Sequence, residues 1–363
     1  MPVAGGQLKE PVTIMDIRRW VQALDYPNPI HFDDEAAMRT GKGVIVAPQS
    51  FTVCCDVGHG TVPALMGLIP GSHVVFGGDE WWFYGPHILS GDKLRVTRRF
   101  DGYSLAETKF AGPCLFARGD TTYINQREDV VAKQRSTMVR YRADIARERG
   151  HYDSVAEPPD FSAEQLREFS RIKKEWSQSG RDGQGPGDLV SGQTLPTRLI
   201  GPHTAVSFAK EFTALPFTVW GSHYYDGDFK GLDAGWLPEL MSDDNDPGMG
   251  VGTDEGPASG HGNIEKAKLV GMPRHFGYGS SIGAWTLDYA AYWGGDKSFI
   301  RHAKIDYRSP VFEHDVTLVN GTVKQVRHDR VLGACVAEVD VVMTNQDDTV
   351  IAKGAVTIEL ERL

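Results

Sequence analysis

The order of elements in this chain repeats, and that repeat limits the folds open to it more than any other feature. Residues 16–24 read as a short amphipathic helix with apolar Ile17, Trp20, Val21 and Leu24. A proline-rich turn follows, then an apolar segment reaching about Leu68, then strands over His73–Phe83, Lys93–Phe100, Cys114–Asn125 and Val130–Tyr141. Ser90-Gly91-Asp92, Asp101-Gly102 and Gly112-Pro113 separate the strands with turn residues. The second half runs in the same order. A helix over Ala205–Thr213 leads to a turn region around Trp220–Asp226 and a helix from Gly279 to about Trp293. Strands then run over Arg301–Val311, Val316–Val326, Cys335–Thr344 and Val350–Leu360. The halves match in element order, not residue by residue. Such an order predicts two antiparallel sheets, each curled round one central helix, joined through their edge strands.

Between them lies a stretch of different composition. It holds a charged helix over Ser162–Trp176 and a Gly-rich loop over Ser179–Gly187. The expected organisation is residues 1–143, a linker of 144–195 carrying one helix, and residues 196–363. A long Gly/Asp-rich loop, Met241–Gly262, has too little apolar content to pack a core of its own. On the strand Lys93–Phe100, Leu94, Val96 and Phe100 share one face, which Arg98 interrupts.

The net charge of −10, with no basic tract, argues against nucleic acid as partner. The four cysteines, Cys54, Cys55, Cys114 and Cys335, include no CxxC pair, so free thiols in a reducing cytoplasm are expected. No secretory signal and no apolar run long enough to cross a bilayer is visible. No His/Cys/Asp cluster has metal-ligand spacing, and no Gly-rich loop follows a strand as a nucleotide site requires.

The segment Asp25-Tyr-Pro-Asn-Pro-Ile-His31 carries the chemistry most clearly. It sets a carboxylate, an amide and an imidazole on a turn stiffened by two prolines. An acid and a histidine held in that way can share one water. As a turn alone, the same residues need no chemistry, and Asn28 then fixes the backbone.

Several segments together resemble the MaoC-like dehydratases of the double hot-dog type, with an N-terminal fungal fatty-acid-synthase-type dehydratase region. They are Tyr26–His31, Ile45–Phe51, Gly77–Phe83 with Gly91-Asp92, Leu195–Thr204 and Tyr307–Phe312. The resemblance implies an α+β double hot-dog fold. It also implies hydration of a 2-enoyl-CoA thioester, or dehydration of a 3-hydroxyacyl-CoA. No metal or redox cofactor is implied, coenzyme A entering only as part of the substrate. The family motif Gly-Asp-x-Asn-Pro-x-His places its aspartate at Tyr26, with Asp25 one residue earlier. The family's Ala-His-Gly turn, whose backbone N–H polarises the thioester carbonyl, falls on Pro48-Gln49 in the first half and Tyr278-Gly279 in the second. In the second half His223 is the nearest motif histidine, with Thr218 at the aspartate spacing.

The expected catalytic residues are therefore Asp25, His31 and His223, and the expected substrate-binding residues Asn28, Gln49, Tyr278 and Gly279. Arg274 and His275 are candidates for a phosphate. His59-Gly60 and His261-Gly262 spell the same dipeptide without its flanking pattern and are set aside. The aromatic-rich second half and the Met241–Gly262 loop suggest a bulky acyl group. A homodimer or higher homo-oligomer is expected. Two alternatives stand beside the hydratase: a hot-dog thioesterase using a helix carboxylate such as Asp288 or Asp56, and a non-catalytic acyl-CoA-binding partner.

Overall fold

The computed structural model describes residues 1–8, 10–41, 43–65, 69–180, 189–214, 225–227 and 259–360. Its centre is one 11-stranded sheet in which every pairing is antiparallel. The long strands of the first half are β2 (Ser72–Phe83), β3 (Arg95–Thr108), β4 (Gly112–Ile124) and β5 (Val130–Arg142). Those of the second are β8 (Phe299–Tyr307), β9 (Thr317–Asp329), β10 (Ala334–Thr344) and β11 (Val350–Glu359). β2 pairs with β8, Gly78 opposite Asp306 and Trp82 opposite His302, so the two sets of strands form one continuous surface. The sheet ends on short strands: β6 (Arg198–Ile200) beside β9, and β1 (Pro2–Leu8) beside β3 with β7 (Tyr225–Gly227) outside it.

β1 is not foreseen from its sequence, because Gly5-Gly6 has poor strand propensity. Close approach explains the glycine. A Cβ on Gly5 would lie 2.5 Å from the carbonyl oxygen of Val96 on β3.

Helix α1 (Ile14–Ala23) begins at a capping box. The Thr13 hydroxyl accepts from the Asp16 N–H at 3.1 Å, and the Asp16 carboxylate accepts from the Thr13 N–H at 2.9 Å. Its buried stripe is Ile17, Trp20, Val21 and Ala23. Short α2 (Asp34–Arg39) follows the turn, and α3 (Ala143–Arg149) and α4 (Ala163–Ser179) lie between the two sets of long strands. In the second half, α5 (Ala205–Thr213) and α6 (Ile264–Leu269) precede α7 (Gly279–Gly294). Helix α7 is buried on nearly every face, as a helix enclosed by a sheet must be.

The first half departs from that plan. Where α7 would have its counterpart, the chain forms 3-10 turns at Gln49–Cys55, Val57–Gly60 and Val62–Ala64. Gly58 and His59 both take left-handed φ, 66° and 58°, which stops an α-helix from propagating. Pro63 and the β-branched pairs Thr52-Val53 and Thr61-Val62 add to the break.

Two buried arginines tie the elements together. Arg98 meets Asp56 in an ion pair whose side chains are both fully enclosed. Arg198 donates to the Leu24 carbonyl at 2.8 Å, reaches the Trp285 carbonyl of α7 at 3.4 Å, and lies 4.5 Å from the Trp176 ring of α4. The cysteines are free thiols, with Cys54, Cys55 and Cys114 buried. Among the described residues no helix is long and apolar enough to cross a membrane.

Candidate active site

The turn after α1 is built as its residues dictate, but its side chains do not form an acid–imidazole pair. Asn28 caps the 3-10 turn Pro29–His31, its Oδ1 accepting from the Ile30 N–H at 3.1 Å. His31 is buried, with Nδ1 2.7 Å from the Val46 carbonyl oxygen. Asp25 takes a left-handed φ of 48° and its side chain is exposed. Tyr26 faces inward instead, its ring 5.3 Å from that of His31 and 5.9 Å from that of Tyr292. Burial and the nearby Asp288 push its phenol well above the usual range, so it is no base at neutral pH.

Gln49 is also committed elsewhere. Its amide donates to the Ile300 carbonyl and accepts from the Ile300 N–H, both at 2.8 Å, in the manner of one more strand residue beside β8. Because Ile300 is wholly buried, Gln49→Leu leaves a backbone donor and acceptor without partners. We expect it to cost about 1–3 kcal/mol, read as a lowered denaturant midpoint.

The second half repeats this station with His261. Its Nδ1 lies 2.7 Å from the Phe276 carbonyl oxygen, 15 residues on, as His31 lies 15 residues before Val46. Asn263 caps α6 just after His261, as Asp33 caps α2 just after His31. The start of α7 at Gly279 follows His261 by the same length of chain as the Gln49 turn follows His31. His261 is thus the counterpart of His31. The dipeptide His261-Gly262 hid it, whereas the shared spacing from histidine to helix start was legible. His223 lies outside the described residues, as do Thr218, Trp220 and residues 241–258 of the long loop.

Around His261 the chemistry is well defined. A carbonyl only accepts, so the neutral ring carries its hydrogen on Nδ1 and keeps the Nε2 lone pair. Burial, helped by the neighbouring His73 and His59, pushes its pKa down to about 3, so the ring is neutral near pH 7. It packs against Phe276 and Tyr278 at 4.2 and 4.0 Å between ring centres, yet the residue is only partly buried. Helix α7 starts beside it. Its N-cap, Tyr278, gives no side-chain cap, so the first turn presents backbone N–H groups and the positive dipole end. Gly279 allows close approach there, since a Cβ would lie 2.5 Å from Phe76.

The first half reaches the same helix through Asp79. Asp79 on β2 accepts from Gln134 at 2.8 Å and from the Tyr307 hydroxyl of β8 at 3.0 Å. Gln134 also donates to the His59 carbonyl at 3.1 Å and accepts from Tyr123 at 2.7 Å. A Cβ on Gly283 of α7 would lie 2.6 Å from the Tyr307 hydroxyl and 3.2 Å from Asp79, so this network abuts the helix. Burial pushes the Asp79 pKa up to about 7 from 3.8. Below 3.8 the carboxyl is protonated folded or unfolded. Between 3.8 and about 7 only the unfolded chain gives up the proton, so stability falls as pH rises, and above that its contribution is flat. Asp79→Asn should remove this slope, which urea denaturation across that interval will read.

Arg274 and His275 are engaged within the protein. Arg274 donates to the Val155 and Glu313 carbonyls and to Asp315, and His275 pairs with Glu313 at 2.8 Å. Among the described residues no group of three or more His, Cys, Asp or Glu side chains is arranged to hold a metal ion.

Two helix-bearing halves on one antiparallel sheet, each with a histidine hung on a carbonyl beside a helix start, define a double hot-dog protein. Comparison with known proteins agrees. Residues 3–134 match the family model described as a FAS1-like dehydratase domain region. A probable enoyl-CoA hydratase alpha subunit from Thermomonospora curvata is 30% identical over 147 residues. That match spans 37% of this chain and 46% of that relative, so the chain reaches under half of its length. Among solved structures, a MaoC-like dehydratase aligns over 99% of this chain and 98% of its own with a TM-score of 0.62 at 14% identity. A putative MaoC domain protein dehydratase from Chloroflexus aurantiacus aligns over 99% and 95%, with a TM-score of 0.62 at 12% identity. A Mycobacterium tuberculosis protein described as having a double hotdog fold aligns over 98% and 93%, with a TM-score of 0.56 at 11% identity. By fold the chain is a double hot-dog protein, similar in structure to MaoC-like dehydratases, and its residues 3–134 resemble the FAS1-like dehydratase domain region.

Proposed function

We propose that the protein adds water to a 2-enoyl-CoA thioester, or removes it from a 3-hydroxyacyl-CoA, at the second-half station. The observation that carries this reading is the neutral His261, hung on the Phe276 carbonyl beside the uncapped start of α7. In the hydration direction the water oxygen bonds to C3 and its proton passes to Nε2 of His261. The C2=C3 electron pair moves toward the thioester oxygen, which the backbone N–H groups at the start of α7 stabilise. His261 then returns the proton to C2, so one water is added and the side chain is unchanged. The relative from Thermomonospora curvata, by its name an enoyl-CoA hydratase subunit, supports the substrate class. That relative's designation as an alpha subunit is one for a chain that assembles with an unlike subunit, so for this protein a homo-oligomer and a cytoplasmic location stay part of the proposal, without support from that name.

The test is the loss of the enoyl-thioester absorbance band with crotonyl-CoA and with a bulkier enoyl-CoA. Band loss with the full chain supports the reading. Tight binding of both thioesters without band loss would instead favour a non-catalytic acyl-CoA-binding partner.

One observation favours a thioesterase as second reading. Asp288 on α7 is buried, its Oδ2 has no partner, and burial pushes its pKa up to about 7. Asp56 offers no such freedom, since Arg98 holds it. Release of free thiol from acyl-CoA would identify that activity, and Asp288→Asn would abolish it.

A further inference from the structure

The two halves fill the space above their helix starts differently. Thr13 caps α1, and Thr204 plays the same part for α5, its hydroxyl accepting from the Ser207 N–H at 3.0 Å. Counted from those threonines, Glu211 stands where Trp20 stands in the first half, and counted from the helix starts Ser280 stands where Ser50 stands. In the first half the contact is closed. Trp20 is fully buried and its Nε1–H donates to the Ser50 hydroxyl at 3.1 Å.

In the second half it is open. Glu211 and Ser280 are each 3% exposed, and the Glu211 Oε2 and Ser280 Oγ have no hydrogen-bond partner. The Glu211 carboxyl lies close enough to Ser281, in the first turn of α7, for that hydroxyl to lower its pKa. Tyr278, the N-cap, feels the Glu211 charge and packs 4.0 Å from His261, so Glu211 belongs to the same neighbourhood as the station histidine. Buried polar atoms in native folds are nearly always paired. Two orphans beside an uncapped helix start mark a place made for an oxygen of a ligand.

We propose that Glu211 and Ser280 are catalytic side-chain donors that hold the thioester oxygen together with the first N–H groups of α7. This inference rests on the acyl-thioester reading above. Burial pushes the Glu211 pKa up to about 8, so the group is a neutral carboxyl with an O–H to donate near neutral pH. Asp25 raises it further, while Ser281, Lys210 and Arg198 oppose the shift without cancelling it. Charge developing on the thioester oxygen favours the protonated form more strongly still. Glu211 keeps its proton throughout, so no bond to it forms or breaks.

The experiment is steady-state hydration of crotonyl-CoA by the full chain and by the Glu211→Gln, Glu211→Ala and Ser280→Ala variants, as a function of pH. It is joined to the isotope-edited infrared stretch of the 13C-labelled thioester carbonyl of bound crotonyl-CoA. The wild type should lose kcat/KM as pH rises through about 8, where Glu211 ionises in the free protein, and lose kcat only at higher pH. Glu211→Gln keeps an N–H donor that does not titrate. It should hold kcat within about tenfold and lose the alkaline decline, whereas Glu211→Ala should lose about 100-fold in kcat with KM little changed. Ser280→Ala should lose about tenfold and keep the decline. The bound carbonyl stretch should be lowered in the wild type and return toward its free value in Glu211→Ala.

A Glu211→Ala variant with kcat within about threefold of wild type and the same bound stretch would overturn the inference while leaving the hydratase reading intact. A lowered stretch, lost in Glu211→Ala, in a protein that hydrates no enoyl-CoA would uphold the donors and overturn the hydratase. Failure of crotonyl-CoA to bind any of the proteins would overturn both.

Discussion

His261→Ala should remove hydratase turnover almost completely, lowering kcat by about 100-fold to 10,000-fold, the usual worth of a positioned acid–base group. His31→Ala should lose no more than about tenfold, because in the first half Trp20 and Tyr26 close the station and the Gln49 side chain is engaged by Ile300. His261→Gln separates chemistry from packing, since it keeps a polar side chain near the Phe276 carbonyl but cannot shuttle a proton. Enoyl-band kinetics on the three variants, each checked for native denaturation, decide the matter. Activity lost in His31→Ala and kept in His261→Ala would move the site to the first half.

Arg98→Ala should be the most damaging change to stability, by about 3–5 kcal/mol. The Arg98 guanidinium and the Asp56 carboxylate are both fully enclosed, joining β3 to the 3-10 turns that replace a central helix in the first half. Removing one partner leaves the other charge buried and uncompensated, which costs more than the pair contributes. The double variant Arg98→Leu with Asp56→Leu should recover much of the loss, because two apolar groups leave no charge behind. Thermal and urea denaturation of single and double variants read both effects. Equal destabilisation of the single and double variants would show that packing, not the orphaned charge, dominates.

The long elements were legible because each carries its own period. The stripe of α1, the strands β2, β4, β5, β9, β10 and β11 and the apolar run of α7 lie within two or three residues of their expected ends, whereas β3 runs on to Thr108, past the expected Phe100, and β8 stops at Tyr307, before the expected Val311. The resemblance on Tyr26–His31, Ile45–Phe51 and Tyr307–Phe312 pointed to the double hot-dog fold that the structure displays. What failed was local detail at the sites. The carboxylate expected beside His31 is exposed, because the left-handed Asp25 turns its side chain outward and Tyr26 takes the inner position. The first central helix breaks at Gly58-His59. His261-Gly262 lacks the family's flanking motif, and only the spacing from histidine to helix start marks His261 as the counterpart of His31.

Sequence alone determined the α+β class, the doubled order of elements and the family likeness, since these rest on periodicity and turn chemistry that act over neighbouring residues. The tertiary structure decided which side chains meet. It supplied Asp56 for the Arg98 that interrupts an apolar strand face, joined Asp79 on β2 to Tyr307 on β8, and set Glu211 beside the start of α7. It also raised Asp79 to about 7 and lowered His261 to about 3. Those contacts join residues far apart in the chain, and their energies depend on burial, which no local pattern encodes.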